Sequence, residues 1–185
     1  MKFLPLFLIA AILVSCGGSQ SSLDALSKLD SLNKSIETTK YTSPDGTFKI
    51  NFPGTPKVES QNVPTEVGNI EMKSFTYEKS VTEAYMVALS DYPSDIVAAS
   101  SPDSLLQGAK EGVLNSQGAT LEFEEKITLD GNPGYFFKAK SENLYMCYKI
   151  FLKENRLFQI LMLRDGSYST QEDITGFIGS FEFSK

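Results

Sequence analysis

The sequence predicts an α+β fold in which an antiparallel β-sheet packs against helices, and three observations carry that prediction. Apolar and polar residues alternate from Phe48 to Phe52, which is typical of a half-buried strand. Three apolar segments of strand length follow one another with only short polar turns between them, at 135–141, 144–152 and 157–163. An amphipathic segment from Ser101 to Gly118 has the pattern of a single helix.

The folded domain is predicted to cover residues 41–185 and to open with a turn and a strand. The Ser-Pro-Asp-Gly run at 43–46 indicates a type I turn, because proline sets the first central φ and glycine closes the turn. The strand at 48–52 follows and ends at the Pro-Gly-Thr-Pro run. Further strands are predicted from apolar residues at Val58 and Val63, at 70–78 and at 84–90.

The predicted helix has recognisable signals at both ends. Ser101 caps the free amides, and Pro102 loses nothing at the first position because its missing donor would have had no partner. Gly118 is a typical C-terminal stop. The buried stripe is expected to consist of Leu105, Leu106, Ala109 and Val113. Gly108 and Gly112 lie one turn apart; they weaken the helix but would allow a close approach to a sheet.

The C-terminal third is predicted as a meander followed by a short helix. A strand at 121–129 shows a slip in its alternation between Phe123 and Ile127, and a turn follows at 130–134. The segments 144–152 and 157–163 are nearly continuous hydrophobe, which favours central strands covered on both faces. A capping box at 169–172 begins a final helix, and Phe181 and Phe183 end the chain as a short strand or as core residues.

The N-terminus reads as a secretory signal, with a positive start, an apolar run to Val14 and small Ser15 before Cys16. The run Leu13-Val14-Ser15-Cys16 resembles the bacterial lipobox, at which signal peptidase II cuts before a lipidated cysteine. This resemblance implies that residues 1–15 are removed and that Cys16 carries the lipid. The apolar run is short of the roughly 20 residues of a spanning helix. The alternative is an ordinary cleaved signal in which Cys16 has no role.

Residues 16–40 are predicted to form the lipidated N-terminus and a tether. Residues 17–22 are rich in Gly and Ser, and apolar residues then recur about every third position from Leu23 to Ile36. A short helix and a solvated stalk both fit that spacing. Gly17 occupies the place where an Asp would favour inner-membrane retention, so the expected location is the outer membrane, facing the periplasm.

Composition bounds the partners that the mature protein can have. Removal of residues 1–15 takes away one cation, Lys2, and leaves 16 cationic against 23 anionic side chains. An acidic domain argues against nucleic acid as a partner. With Cys16 committed to lipid, Cys147 has no partner for a disulfide and is expected to be a small buried hydrophobe, or else a reactive or intermolecular thiol.

Catalytic, cofactor and metal residues are not predicted, and the protein is expected not to be an enzyme. The sequence has no histidine, the commonest general base and transition-metal ligand. Glu122, Glu124, Glu125 and Asp130 could imitate a hard-cation site, but strand alternation places Glu122 and Glu124 on one face and Glu125 on the other. A solvated sheet edge is favoured there. A hydrolase based on a distant carboxylate pair stays open at this point.

Several of these segments together resemble the PsbP/Mog1/DcrB superfamily over about residues 41–185. The resemblance lies in Phe48-Lys-Ile-Asn-Phe-Pro-Gly-Thr-Pro, Leu129-Asp-Gly-Asn-Pro-Gly, Arg156-Leu-Phe-Gln-Ile and a closing helix that leads into Ser180-Phe181. It implies a twisted antiparallel sheet sandwiched by helices. Members of the superfamily include photosystem II extrinsic subunits, a nuclear-transport GTPase cofactor and bacterial envelope lipoproteins, and most act by binding proteins.

Two functions follow as hypotheses. The first is a non-catalytic envelope lipoprotein, bound to the membrane through Cys16, that docks on a protein partner or helps an assembly. The second is a small-ligand or lipid carrier with a cavity between sheet and helices. For the first, a surface patch is needed, and the candidates are Tyr41, Tyr77, Tyr92 and Tyr135, each of which also fits the edge of a core.

Overall fold

The computed structural model describes residues 40–65 and 68–184, and the structural statements below concern those residues. The described residues all belong to one compact unit, Thr38–Lys185. The predicted signal peptide, Cys16 and nearly all of the tether lie outside the described residues.

The described residues form ten strands, three α-helices and one 3₁₀ turn. The strands are β1 (Tyr41–Thr42), β2 (Phe48–Ile50), β3 (Lys57–Thr65), β4 (Gly68–Ser80), β5 (Glu83–Asp91), β6 (Thr120–Leu129), β7 (Asn132–Ser141), β8 (Leu144–Lys153), β9 (Arg156–Asp165) and β10 (Glu182–Phe183). The helices are α1 (Ser94–Ala99), α2 (Pro102–Gln117) and α3 (Gln171–Gly176), with the 3₁₀ turn at Ile178–Ser180.

Seven of these strands make one antiparallel sheet in the order β3-β4-β5-β9-β8-β7-β6, and β1, β2 and β10 make a separate small sheet. The strands from β6 to β9 form the predicted meander through two-residue turns. Asp130, Glu142 and Glu154 open these turns with φ values of 50°, 49° and 56°, the backbone that matches the twist of the flanking strands. The two nearly continuous apolar strands, β8 and β9, lie side by side inside the sheet, as predicted.

The large sheet has two differently covered faces. Helix α2 packs over what we call the helix face, where the buried residues include Tyr135, Phe137, Met146, Tyr148 and Ile150. The other face, which we call the small-sheet face, packs against Phe48 and Ile50 of the small sheet and against Phe177, Ile178 and Phe181. The prediction of helices on both faces is therefore right in part, because a small sheet supplies much of the second cover.

Helix α2 has the predicted ends, but its glycines do not contact the sheet. Ser101 Oγ accepts a hydrogen bond of 3.1 Å from Ser104 N, and Gly118 ends the helix with a φ of 55°. The close approach that Gly108 and Gly112 would allow is not made, because a Cβ on either would meet nothing within 4 Å. The close approach is in the sheet at Gly134, where a Cβ would come within 2.3 Å of a backbone oxygen.

Three further features differ from the sequence prediction. Helix α1 follows Pro93 and is not predicted, because its six residues include no buried position to make a pattern. The cap of α3 is Thr170, one residue later than expected, and its hydroxyl accepts a bond of 3.1 Å from Asp173 N. The slip in β6 lies at Glu122, between Leu121 and Phe123, and so comes earlier than the predicted place.

Cys147 is buried in β8 as expected of a small hydrophobe. Burial raises the pKa of its thiol to about 11. No helix among the described residues is long and apolar enough to cross a bilayer.

Candidate functional site: an open surface on the small-sheet face

The four candidate tyrosines do not form a patch. Tyr41 and Tyr77 are partly buried against the core of the small-sheet face. Tyr92 is partly buried against the core of the helix face, and Tyr135 is almost completely buried there. All four therefore belong to the edges or the interior of two cores on opposite faces.

The acidic residues of β6 are also separated, but not as predicted. Because Glu122 is the extra residue of the bulge, the alternation resets at that point. Glu124 then faces the helix face, where it pairs with Lys110, whereas Glu122 accepts a bond of 2.7 Å from the Tyr168 hydroxyl on the small-sheet face. The placement of Glu122 and Glu124 on one face is thus wrong. Within residues 40–65 and 68–184, no cluster of three or more acidic or thiol ligands is suited to a metal ion.

A polar cluster, which we call the clasp, joins α2 to the edge of the sheet. Asp103 Oδ1 accepts bonds from the Tyr135 hydroxyl at 2.6 Å and from Lys126 Nζ at 2.8 Å. These donors hold the pKa of the Asp103 carboxyl below its usual value. The ammonium of Lys110 pairs with Glu124 and lies 5.3 Å from the centre of the Tyr135 ring. Because these groups satisfy one another, the clasp is structural.

On the small-sheet face, strands β6 and β7 are less completely covered than they are on the helix face. On the small-sheet face, the fully buried core residues of the large sheet lie on β4, β5, β8 and β9, while those on β6 and β7 are only partly buried. A surface, here called the open surface, results at this end of the sheet. It is formed by the side chains of Phe123, Phe136, Lys138, Lys140, Tyr145 and Tyr168.

Aromatic rings and lysine ammonium groups alternate across the open surface. Phe123 and Phe136 have ring centres 5.9 Å apart, and Tyr145 meets Tyr168 edge to face at 4.9 Å. Lys138 Nζ lies 5.3 Å from the Tyr168 ring centre, and Lys140 Nζ lies 4.8 Å from that of Tyr145. Such pairs are attractive because the ring face is electronegative.

The surroundings of Lys140 and Tyr168 raise the pKa of both side chains. The Tyr145 hydroxyl raises the pKa of Lys140, which stays protonated. Burial, followed by the hydrogen bond to Glu122, raises the pKa of Tyr168, which stays neutral. The surface therefore offers two ammonium groups and aromatic faces, a combination suited to recognition of acidic and apolar groups.

Two cavities are lined in part by residues of β8 or of the turn that follows it. One has a volume of about 180 Å³ and lies between β6, β8 and the 3₁₀ turn; its lining is mostly apolar and includes Lys149. The other, of about 340 Å³, lies between the turn at Gly46–Thr47 and the β8–β9 turn and is lined mainly by polar residues.

Hydroxyl–carboxylate hydrogen bonds elsewhere are local: Thr47 donates to Asp45 within a turn, and Thr170 donates to Asp173 at the start of α3.

Comparison with solved structures gives an informative match. The solution structure of cyanobacterial PsbP (CyanoP) from Synechocystis sp. PCC 6803 is similar with a TM-score of 0.51 and 15% identity. The match covers 92% of this chain and 98% of that one. The fold is PsbP-like. At this identity the similarity concerns the fold alone.

The other comparisons add little to the PsbP-like assignment. A crystal structure from Bacteroides thetaiotaomicron matches with a TM-score of 0.41 and 12% identity, over 81% of this chain and 50% of that one. A similarity of that degree does not support a shared fold. No family model and no curated protein matches the chain.

The open surface of this PsbP-like domain could not be located from local sequence signals. Lys138 and Lys140 alternate with Phe137 and Ala139, and this alternation predicts a strand with one polar face. It does not predict which other elements pack over that face or where their packing stops. The sequence predicts Phe123 as a strand residue, and its exposure of 46% depends on the bulge that precedes it. The available signal was the pairing of lysines with tyrosines on neighbouring strands.

Proposed function

We propose that the protein is a lipid-anchored envelope protein whose PsbP-like domain docks, without catalysis, on a protein partner that presents an acidic surface. The observation that carries the proposal is the open surface, where an exposed phenylalanine adjoins tyrosines and lysines. Scattered exposed apolar residues are ordinary, but a contiguous patch is typical of an interaction site. Aromatic residues are also enriched where protein interfaces are most buried.

Charge favours an acidic partner. The chain carries a net charge of −6, yet Lys138, Lys140 and the adjoining Lys149 lie together on this one face. A basic patch on an acidic protein directs association through complementary charge and repels other basic surfaces. The Tyr145 hydroxyl and the nearby Glu122 carboxylate raise the pKa of Lys140, so that this lysine stays charged for a partner.

The anchor is the second part of the proposal and comes from the lipobox resemblance. Lipid on Cys16 would hold the protein at the outer membrane, facing the periplasm, and residues 16–40 would give the domain reach. Radiolabelled palmitate should enter the wild-type protein and not Cys16→Ser, and the unlabelled variant should keep residues 1–15, because signal peptidase II cuts before a lipidated cysteine. Equal labelling of both proteins would contradict the anchor.

Docking is tested by a photocrosslinking residue placed on either face of β6. Phe123 is 46% exposed on the open surface, and Leu121 is 37% exposed before the bulge, which makes it a matched control. We expect a single protein to crosslink at position 123 and not at 121. The same product should be lost when Lys138→Glu and Lys140→Glu reverse the local charge.

Other outcomes would contradict docking at this surface. Crosslinks of equal yield at positions 121 and 123 would indicate non-specific contact. A specific product at 123 that survives both charge reversals would contradict the acidic partner. Circular dichroism of each variant checks that the fold is kept.

The carrier hypothesis gains a narrower form from the structure. Ligand pockets for drug-sized molecules typically measure about 300–1,000 Å³, so the apolar cavity of about 180 Å³ is too small for a membrane lipid. The larger cavity of about 340 Å³ has a polar lining. A small ligand in the apolar cavity is the form that the geometry favours.

A further inference from the structure

Lys149 occupies an unusual position for a lysine. It lies on the small-sheet face of β8, directly opposite Phe136 on β7 and Ile160 on β9. The side chain lines the cavity of about 180 Å³ together with apolar residues of three elements. These are Ile127, Leu129, Phe151, Ile178 and Phe181.

The ammonium of Lys149 has no partner within the described part of the chain. None of the ion pairs there includes Lys149, and its Nζ donates no hydrogen bond to any of those residues. Glu125 is on the same face but two strands away, which places its backbone about 10 Å off at the usual strand spacing. Burial alone accounts for the lowered pKa of Lys149.

A partly desolvated cation without a counter-charge is unfavourable, and an anion beside it would relieve that cost. The cavity supplies apolar walls next to the ammonium, so the complementary ligand has a short apolar tail and an anionic head. At about 30 Å³ for each water-sized group, the space accommodates on the order of six such groups.

We propose that this cavity is a binding site for a small monocarboxylate with a tail of about four to six carbons, whose head pairs with Lys149 and whose tail lies between β6 and the 3₁₀ turn. The proposal is independent of docking, since it concerns the purified protein and requires no partner.

Hexanoate is the probe, and 1-hexanol of the same chain length is the control for the head group. In the mature chain carrying Cys16→Ser, hexanoate is expected to bind at least about tenfold tighter than hexanol, because a hydrogen bond to a charged group adds affinity. Acetate, which lacks the tail, is expected to bind at least about tenfold more weakly than hexanoate. NMR shifts of the Lys149 ε-methylene and the Ile178 methyl groups report head and tail separately.

Variants separate this site from general charge effects. Lys149→Met should reduce hexanoate affinity about tenfold and abolish the preference over hexanol, and Lys149→Arg should keep the preference. Lys138→Met, the same change on the same face but beside the Tyr168 ring, should leave hexanoate affinity unchanged. Equal binding of hexanoate and hexanol, or a preference that survives Lys149→Met, would overturn the proposal, and so would a Lys138→Met effect of equal size.

Discussion

Each face of the large sheet holds a lysine against a core, and the two are treated differently. On the helix face, the Lys110 side chain is only 7% exposed, pairs with Glu124 and packs beside the Tyr135 ring. On the small-sheet face, half-buried Lys149 has no counter-charge among the described residues. The first arrangement satisfies its own polar groups and holds a helix in place. The second leaves a charge available to a ligand.

The two faces differ because the elements that pack on them extend to different strands of the large sheet. Helix α2 extends to the sheet edge, where Lys126 of β6 bonds to Asp103 of the helix. On the opposite face the small sheet and the C-terminal segment pack over β4, β5, β8 and β9, and they leave β6 and β7 partly uncovered. The same strands therefore carry a finished interior on one side and a recognition surface on the other.

The largest expected effect concerns how tightly the small-sheet face is sealed at β8. The pKa of about 11 for Cys147 should make its alkylation at pH 8 roughly a hundredfold slower in the folded than in the unfolded protein, because only the thiolate reacts. Iodoacetamide kinetics of Cys16→Ser, which keeps Cys147 as its one thiol, measure this ratio. Equal rates would mean that the open surface extends to the core at Cys147.

The next effect tests the clasp. Glu124→Gln removes the counter-charge of Lys110, and since the Glu124 side chain is 27% exposed we expect a loss of about 2 kcal/mol in the free energy of unfolding, below the cost for a fully buried pair. Denaturant unfolding gives the value. Glu125→Gln, an exposed neighbour on the other face, is the control and should cost under about 0.5 kcal/mol. Similar losses for both would remove the contrast between the faces.

A gain in stability is expected on the outer side of the helix. Gly108 is exposed within α2, and a methyl group at its Cβ position would meet no atom of another element within 4 Å. Gly108→Ala should therefore stabilise the protein by about 0.5–1 kcal/mol, because glycine costs that much inside a helix. A loss of stability, measured by the same denaturant unfolding, would show that the helix does approach another element there.

The smallest stability effect is expected at Lys149. Its lowered pKa means that the unfolded chain binds the proton more strongly, so the charged form disfavours folding at neutral pH and the penalty fades as the pH rises towards the ordinary lysine value. Lys149→Met should thus raise the free energy of unfolding slightly, by at most about 1 kcal/mol. Thermal unfolding at pH 7 and pH 10 should show a smaller gain at pH 10. A destabilised Lys149→Met would imply an internal counter-charge.

Local chemistry made much of the fold predictable from the sequence. The ends of α2 follow from Ser101, Pro102 and Gly118, and the meander follows from apolar runs and two-residue turns. The small sheet was harder to predict, because Phe48 pairs with Phe183, and these two residues lie near opposite ends of the domain's sequence. Long-range pairings of this kind leave no periodic signal in either segment.

The candidate site was harder to predict, for a specific reason. Assigning residues of β6 to a face requires the exact place of one bulge, because the bulge at Glu122 puts Glu122 and Glu124 on opposite faces, whereas uninterrupted alternation would put them on the same face. Lys110 has the residue type of a solvent-facing helix position, although it is buried at 6% exposure. Burial of a charged residue can be predicted only when the position of its counter-charge on another element is known.

The most direct test of the central claim is covalent footprinting of the open surface in cells and in the purified protein. In the purified protein, Phe123, Tyr145 and Tyr168 should all be modified by a carbene or hydroxyl-radical label. In cells, these three should be protected severalfold, while the exposed residues Val81 and Leu121 should be modified equally in both settings. Equal modification of Phe123, Tyr145 and Tyr168 in cells and in solution would contradict the account.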